Sequence, residues 1–132
     1  MRVVLDTNVV VSAFLSPFGK PAIILSAVLM QDLDICFNPK MLREYEQVLT
    51  RSKFAGRLHK NEIQRFFEII GDWGLNVDCV PSQTVFQDES DRVFFDVAKT
   101  SGAALITGNK KHYPCESFVF TPAEFLEKMH TL

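Results

Sequence analysis

Val3-Val4-Leu5-Asp6-Thr7-Asn8 is the stretch on which the fold turns. Three apolar residues in a row, with no polar alternation, suit a strand buried on both faces, and such strands sit in the middle of parallel sheets covered by helices. Asp6 ends the run. Thr7 or Asn8 is then placed to N-cap a helix from Val9 to Leu15, which Ser16, Pro17 and Gly19 stop.

Outward from there, strand and helix patterns alternate. A second helix is expected from Pro21 to about Gln31, then a strand over Leu33 to Phe37. Asn38 before Pro39 is a cap with proline at the first helical position, opening a helix through Thr50 whose apolar stripe is Met41, Leu42, Tyr45, Val48 and Leu49. Asn61 to Trp73 reads as a helix with Ile63, Phe66, Phe67 and Ile70 facing inward, and Leu75 to Val80 as a strand ended by Pro81. Ser90 or a neighbouring acid caps a helix to about Ser101, closed by Gly102; Ala104 to Ile106 and Ser117 to Phe120 are strands. The last helix opens on Thr121-Pro122-Ala123-Glu124, a capping box with proline at its first position. This alternation, with few tight hairpin dipeptides, predicts an α/β fold with a parallel sheet and helices on both faces.

At 132 residues the chain fits one domain spanning 1–132, and a fold of that size buries roughly two thirds of its unfolded surface. Hydrophobic residues at 47% and charged residues at 23% match a globular protein without low-complexity runs or repeats. A net charge of −2 gives no global footprint for nucleic acid, so any basic face has to be local. Arg51, Lys53, Arg57, His59 and Lys60 form one such cluster, and Lys110, Lys111 and His112 a smaller one; Arg51, Lys53 and Lys110 are candidate nucleic-acid contacts, although a charge run also serves simply as a solvated face. Cys36, Cys79 and Cys115 are odd in number and lack metal-site spacing, which predicts reduced, mostly buried thiols. The longest apolar stretch, Ala22 to Met30, is too short for a bilayer, and the N-terminus lacks the pattern of a leader. A soluble, cytoplasmic protein with no membrane partner is expected.

An open parallel sheet carries its site at the carboxyl ends of its strands. Asp6, the region from Asn38 to Glu44, the cluster from Asp88 to Asp91 and the segment from Thr107 to His112 all fall on that edge. Carboxylates converging there repel one another, by roughly 4 kcal/mol for two charges about 4 Å apart at an effective dielectric near 20. A bound cation relieves that. Oxygen ligands select Mg²⁺ or Mn²⁺, and the chemistry they suit is phosphodiester hydrolysis.

Each acid also has a plainer reading. Asp6 is equally suited to capping a helix. Glu44 and Glu46 border the apolar stripe of their helix on opposite sides, each about 100° from its centre, so geometry leaves both open. Asp88, Glu89 and Asp91 all suit the positive end of a helix dipole. Asp96, one turn on, reads as a solvent-facing helix acid. Thr107 and Asn109 also suit a turn around Gly108.

Four segments, V-V-L-D-T-N (Val3 to Asn8), N-P-K-M-L-R-E-Y-E-Q-V-L (Asn38 to Leu49), D-E-S-D-R-V-F-F-D-V-A (Asp88 to Ala98) and L-I-T-G-N-K-K-H-Y-P (Leu105 to Pro114), together resemble the PIN-domain nucleases, closest to small proteins described as toxin components of prokaryotic toxin–antitoxin pairs. The resemblance implies a three-layer α/β/α fold with a five-stranded parallel sheet, and Mg²⁺- or Mn²⁺-dependent endonucleolytic cleavage of single-stranded RNA. It matches the family's acids to Asp6, Glu44 rather than Glu46, and Asp91, which makes these three the catalytic metal ligands. Asn8, Thr107 and Asn109 then fall to positioning water or substrate. Many members carry a further aspartate where this chain has Asn109 and His112, which puts a second ion in question; Asp96 or Asp88 could compensate. The resemblance also implies a cognate antitoxin protein and a homodimer.

Two other functions fit the same residues. A non-catalytic RNA- or protein-binding module would keep the fold without the chemistry. Phosphoryl transfer through an aspartyl-phosphate on Asp6 is disfavoured, because Asn8 stands where a second acid is needed.

Overall fold

The computed structural model describes residues 1–54 and 56–130. Strands β1 (Arg2–Leu5), β2 (Asp34–Phe37), β3 (Leu75–Asn76), β4 (Ala104–Ile106) and β5 (Val119–Phe120) form one sheet in the order β3-β2-β1-β4-β5, with every pairing parallel. Helices α1 (Thr7–Leu15), α2 (Lys20–Leu29), α3 (Pro39–Leu49), α4 (Lys60–Trp73), α5 (Arg92–Ser101) and α6 (Pro122–His130) cover both faces, giving the three-layer α/β/α arrangement expected.

The apolar run behaves as its composition requires. Val3, Val4 and Leu5 have no exposed surface, and β1 is the central strand, paired with β2 through Val3↔Ile35 and with β4 through Val4↔Leu105. Helix termini follow the caps. The Asn38 side chain accepts from the Met41 amide at 3.0 Å, Gly102 closes α5 at φ 72°, and Thr121 and Glu124 exchange the two bonds of a capping box at 2.9 and 3.2 Å. An aromatic core links the layers: Phe66 packs on Phe14 and Tyr45, and Tyr45 on Phe94.

Several expectations need correction. The cap of α1 is neither Thr7 nor Asn8: the helix starts at Thr7, and Asp6 precedes it without its carboxylate making a capping bond. Strand β3 ends at Asn76 rather than Val80, because its partner β2 stops at Phe37, where Asn38 turns the chain into α3. Short 3₁₀ turns at Ser52–Phe54, Glu89–Asp91 and Lys110–His112 had no sequence expectation. Of the thiols only Cys36 is buried; Cys79 is half-buried and Cys115 exposed.

Among the described residues no single helix is long and apolar enough to cross a membrane. Helices α1 and α2 are together apolar, but they meet at 99° and turn Val10, Phe14, Ile24 and Val28 into the core.

The strand order reverses between β1 and β4. In a doubly wound sheet that is the topological switch point, where the loops part and leave a crevice at the carboxyl edge. Asp6 follows β1 and Thr107 follows β4, so both stand at its base.

Candidate active site

Asp6 is the floor of the crevice, 6% exposed. Its Oδ2 accepts from the Thr107 hydroxyl at 2.8 Å and the Tyr113 hydroxyl at 3.0 Å, with the Asn8 amide at 3.4 Å. Burial pushes the carboxyl above its ordinary range, and the Thr107 and Tyr113 bonds offset part of that push. Tyr113 had no place in the sequence reading. It reaches Asp6 because the 3₁₀ turn at Lys110–His112 returns the chain towards β1.

Glu44 comes from α3. Its Oε2 accepts from the Thr7 hydroxyl, which ties α3 to the first turn of α1. Glu44 is half-buried, and burial raises its pKa, with the nearby charge of Asp6 adding to the shift and Arg51 opposing it. Glu46 points to solvent instead. Next to Glu44 in the chain, Tyr45 is fully buried and its hydroxyl donates to the Leu5 carbonyl, fixing α3 against the end of β1.

The three acids before α5 separate by their partners. Asp88 Oδ1 accepts from the Ser90 amide at 3.0 Å and its hydroxyl at 2.8 Å, which holds its pKa low, so the helix-end reading applies to Asp88. Glu89 is paired with Arg92 at 2.8 Å. Asp91 makes no capping bond, and its pKa is pushed up to about 6 by burial and then by the charges of Asp6, Asp88 and Glu44, with His112 opposing. Three acids from three elements thus feel one another across the crevice.

The remaining candidates divide. Asn8 bridges the two loops, its amide near Asp6 and its carbonyl accepting from the Gly108 amide at 3.0 Å. Thr107 is fully buried, and its hydroxyl donates to Asp6 at 2.8 Å and accepts from the Asn109 amide at 3.0 Å, so it orients Asp6. The Asn109 side chain is exposed at the rim, as is His112, close enough to lower the pKa of Asp6 and Asp91. Lys110 forms an exposed ion pair with Glu124 at 3.0 Å. Arg51 and Lys53 lie past the far end of α3, with the Lys53 ammonium 5.1 Å from the Phe54 ring centre. Asp96 is corrected outright. It is 4% exposed, not solvent-facing, and its Oδ2 accepts from the Ser82 amide at 3.0 Å, on a side of α5 apart from Asp6.

Among the described residues no three His, Cys, Asp or Glu side chains stand close enough to enclose one metal ion. That is compatible with a hard cation. Mg²⁺ keeps several waters and takes one or two carboxylates, so an acid set that is close in charge yet not collapsed onto one point fits it better than a tight protein cage. The oxygen-only donors and their raised pKa values fit a divalent cation, whose charge would oppose the repulsion raising them.

A parallel sheet with carboxylates gathered at its switch point defines a doubly wound α/β protein with an acidic site. The PIN domain family model matches residues 2–111, so the chain belongs to the PIN domain family, whose members are generally metal-dependent nucleases. The chain is also 28% identical to an uncharacterized protein of Methanocaldococcus jannaschii, over 97% of this chain and 91% of that one. No solved structure matches it.

Proposed function

We propose that this protein is a Mg²⁺- or Mn²⁺-dependent endoribonuclease acting on single-stranded RNA, with Asp6, Glu44 and Asp91 holding the ion. The observation that supports it most is the gathering of carboxylates from three elements at one crevice, where burial first, and then the charges of Asp6, Asp88 and Glu44, bring Asp91 up to about 6. When bound, the cation supplies charge neutralisation at the scissile phosphate and activation of the attacking water. The protein's own part is positional: Thr107, Tyr113 and Asn8 hold Asp6, Thr7 holds Glu44, and Tyr45 fixes α3 against β1. Asn109 and His112 stand at the rim and add no carboxylate there, which favours a single resident ion.

The same proposal extends to partners. The likeness to toxin components supports a cognate antitoxin that covers the crevice, and a homodimer. The test is incubation of labelled single-stranded RNA with Mg²⁺, Mn²⁺ or EDTA, alongside Asp6→Asn. Cleavage that needs metal and is lost in the variant supports the reading. The spread of the acids favours one other reading, a module that binds RNA or protein without cutting, and tight binding with no cleavage in any metal would establish it.

A further inference from the structure

Asp96 sits on the inner side of α5 with one carboxylate oxygen unaccounted for. Oδ2 accepts from the Ser82 amide at 3.0 Å, while Oδ1 is buried and has no hydrogen-bond partner among the described residues. A buried acceptor left unpaired costs several kcal/mol in an apolar surrounding, more when charged, so such an atom calls for a donor from outside. The neighbouring guanidinium does not supply it. Arg92 gives its Nε and Nη2 to Glu89 at 2.8 and 3.0 Å and its Nη1 to Ser82, and stacks 4.9 Å from the Phe86 ring centre.

Asp96 lines a cavity of about 350 Å³ together with Cys79, Pro81 and Val93 and the charged side chains of Lys40, Glu89 and Arg92. This cavity is not isolated from the acids. A second hollow of about 260 Å³ runs beside it and is lined by Glu44, Arg43, Lys40, Ser90 and Val93, of which Lys40, Ser90 and Val93 also line the first. One groove therefore leads from Glu44, past two cationic side chains on the first turns of α3, to Asp96.

We propose that this cavity receives a nucleobase of the RNA substrate and that Asp96 Oδ1 accepts from its amino group, with Arg43 and Lys40 along the connecting phosphates. The inference rests on the nuclease reading of the Glu44 crevice. A base has apolar faces for Pro81 and Val93 and an N–H edge for the carboxylate, and carboxylates read amino-bearing base edges. A metal ion or a basic side chain of a protein partner fits less well, because Lys40 and Arg92 balance Glu89 and Asp96 around the cavity, a wall without net charge that suits a neutral base. Guanine, cytosine and adenine carry the amino group required. Uracil offers two carbonyls flanking its single N–H, and these oppose a carboxylate.

The test is fluorescence anisotropy with short oligouridine strands carrying one G, C, A or U at a central position, in Mg²⁺, with Asp6→Asn protein so that the strands stay intact. A preference of about tenfold for an amino-bearing base over uracil is expected. Asp96→Asn, added to the same protein, replaces the free acceptor by an amide donor while an oxygen remains for Ser82, so the preference is expected to vanish or turn towards uracil. Cys79→Phe fills the cavity from its side and is expected to flatten the preference without reversing it; thermal melts confirm that each variant is folded. Equal binding of all four strands, or a uniform loss across them in Asp96→Asn, overturns the proposal. So does capture of an arginine-rich peptide with no RNA binding, which would assign the cavity to a cationic protein segment. A base preference in a protein that cuts no RNA in any metal would sink the nuclease reading and leave the base site standing.

Discussion

The Tyr113 hydroxyl donates to Asp6 Oδ2 at 3.0 Å, on the same oxygen that the Thr107 hydroxyl reaches at 2.8 Å. Two donors converging on one oxygen fix the carboxylate in a single orientation and favour its ionised form against the push of burial. Burial and the charge of Asp6 in turn keep the Tyr113 phenol far above its ordinary pKa, so it remains a donor at any working pH.

Tyr113→Phe keeps the ring beside Phe86, whose centre is 6.2 Å away, and removes only the donor. Asp6 then has a higher pKa and a looser orientation. Mn²⁺ affinity by calorimetry is expected to fall about tenfold, in the range for removal of a group that orients a metal ligand. The loss should grow as pH falls, because fewer Asp6 carboxyls are then ionised in a group whose pKa burial already raises. A loss independent of pH would mean that Tyr113 acts only by packing. Stability is expected to drop by about 1 kcal/mol.

Asp91 gives the metal-free protein a pH dependence of defined sign. Its folded pKa is raised from 3.8 to about 6, so across that interval the folded protein binds more protons than the unfolded chain. The contribution of this group to stability is therefore greatest below pH 3.8 and declines as pH rises towards about 6. Asp91→Asn is expected to raise metal-free stability at pH 7.5 by about 1 kcal/mol, a figure reduced because the carboxyl is partly exposed and screened. Thermal melts check this, together with a second result: added Mg²⁺ should raise the melting temperature of the unmodified protein and leave the variant unmoved.

Glu44 and Glu46 test the site on a single helix. Glu44→Gln removes the charge that faces Thr7 and Asp6, whereas Glu46→Gln changes an exposed side chain on the outer face of α3. Cleavage of labelled RNA is expected to fall by at least 100-fold in the first and by less than twofold in the second, the larger figure being on the order of losing an electrostatic stabiliser from an active site. Equal losses would detach the chemistry from the crevice.

How far these features were legible depended on how local their causes are. The run from Val3 to Leu5 named the central strand because continuous burial needs continuous apolar residues, and the Thr121–Glu124 box named a helix start because both its bonds lie within four residues. Strand β3 was overextended because what ends it is the turn of its neighbour β2 into α3, a fact about another segment. Tyr113 was invisible for the same reason: its partner Asp6 is 107 residues away and is reached through an irregular segment. The burial of Asp96 depends on a loop, that of Ser82, with no periodicity to place it. For Asp6, Glu44 and Asp91, residue type and the sheet rule could gather acids at one edge, but choosing among the acids required the resemblance.

Gly74 carries the last prediction, because it couples the end of α4 to the strand that leads into the site. Its backbone is ordinary, φ −66° and ψ 154°, so the need for glycine is one of space. A Cβ there would lie 2.5 Å from the Ile70 carbonyl oxygen and 2.8 Å from Phe37 Cε1, and Phe37 ends β2 immediately before Asn38 caps α3. A methyl group on Gly71, one turn earlier, would meet nothing within 4 Å. Gly74→Ala is accordingly expected to cost about 1–3 kcal/mol by overpacking, while Gly71→Ala should add roughly 0.5–1 kcal/mol through helix propensity. Urea denaturation of both variants measures the difference. If both stabilise, Phe37 can yield to the methyl group, and the seam between α4 and β2 is looser than the contact distances require.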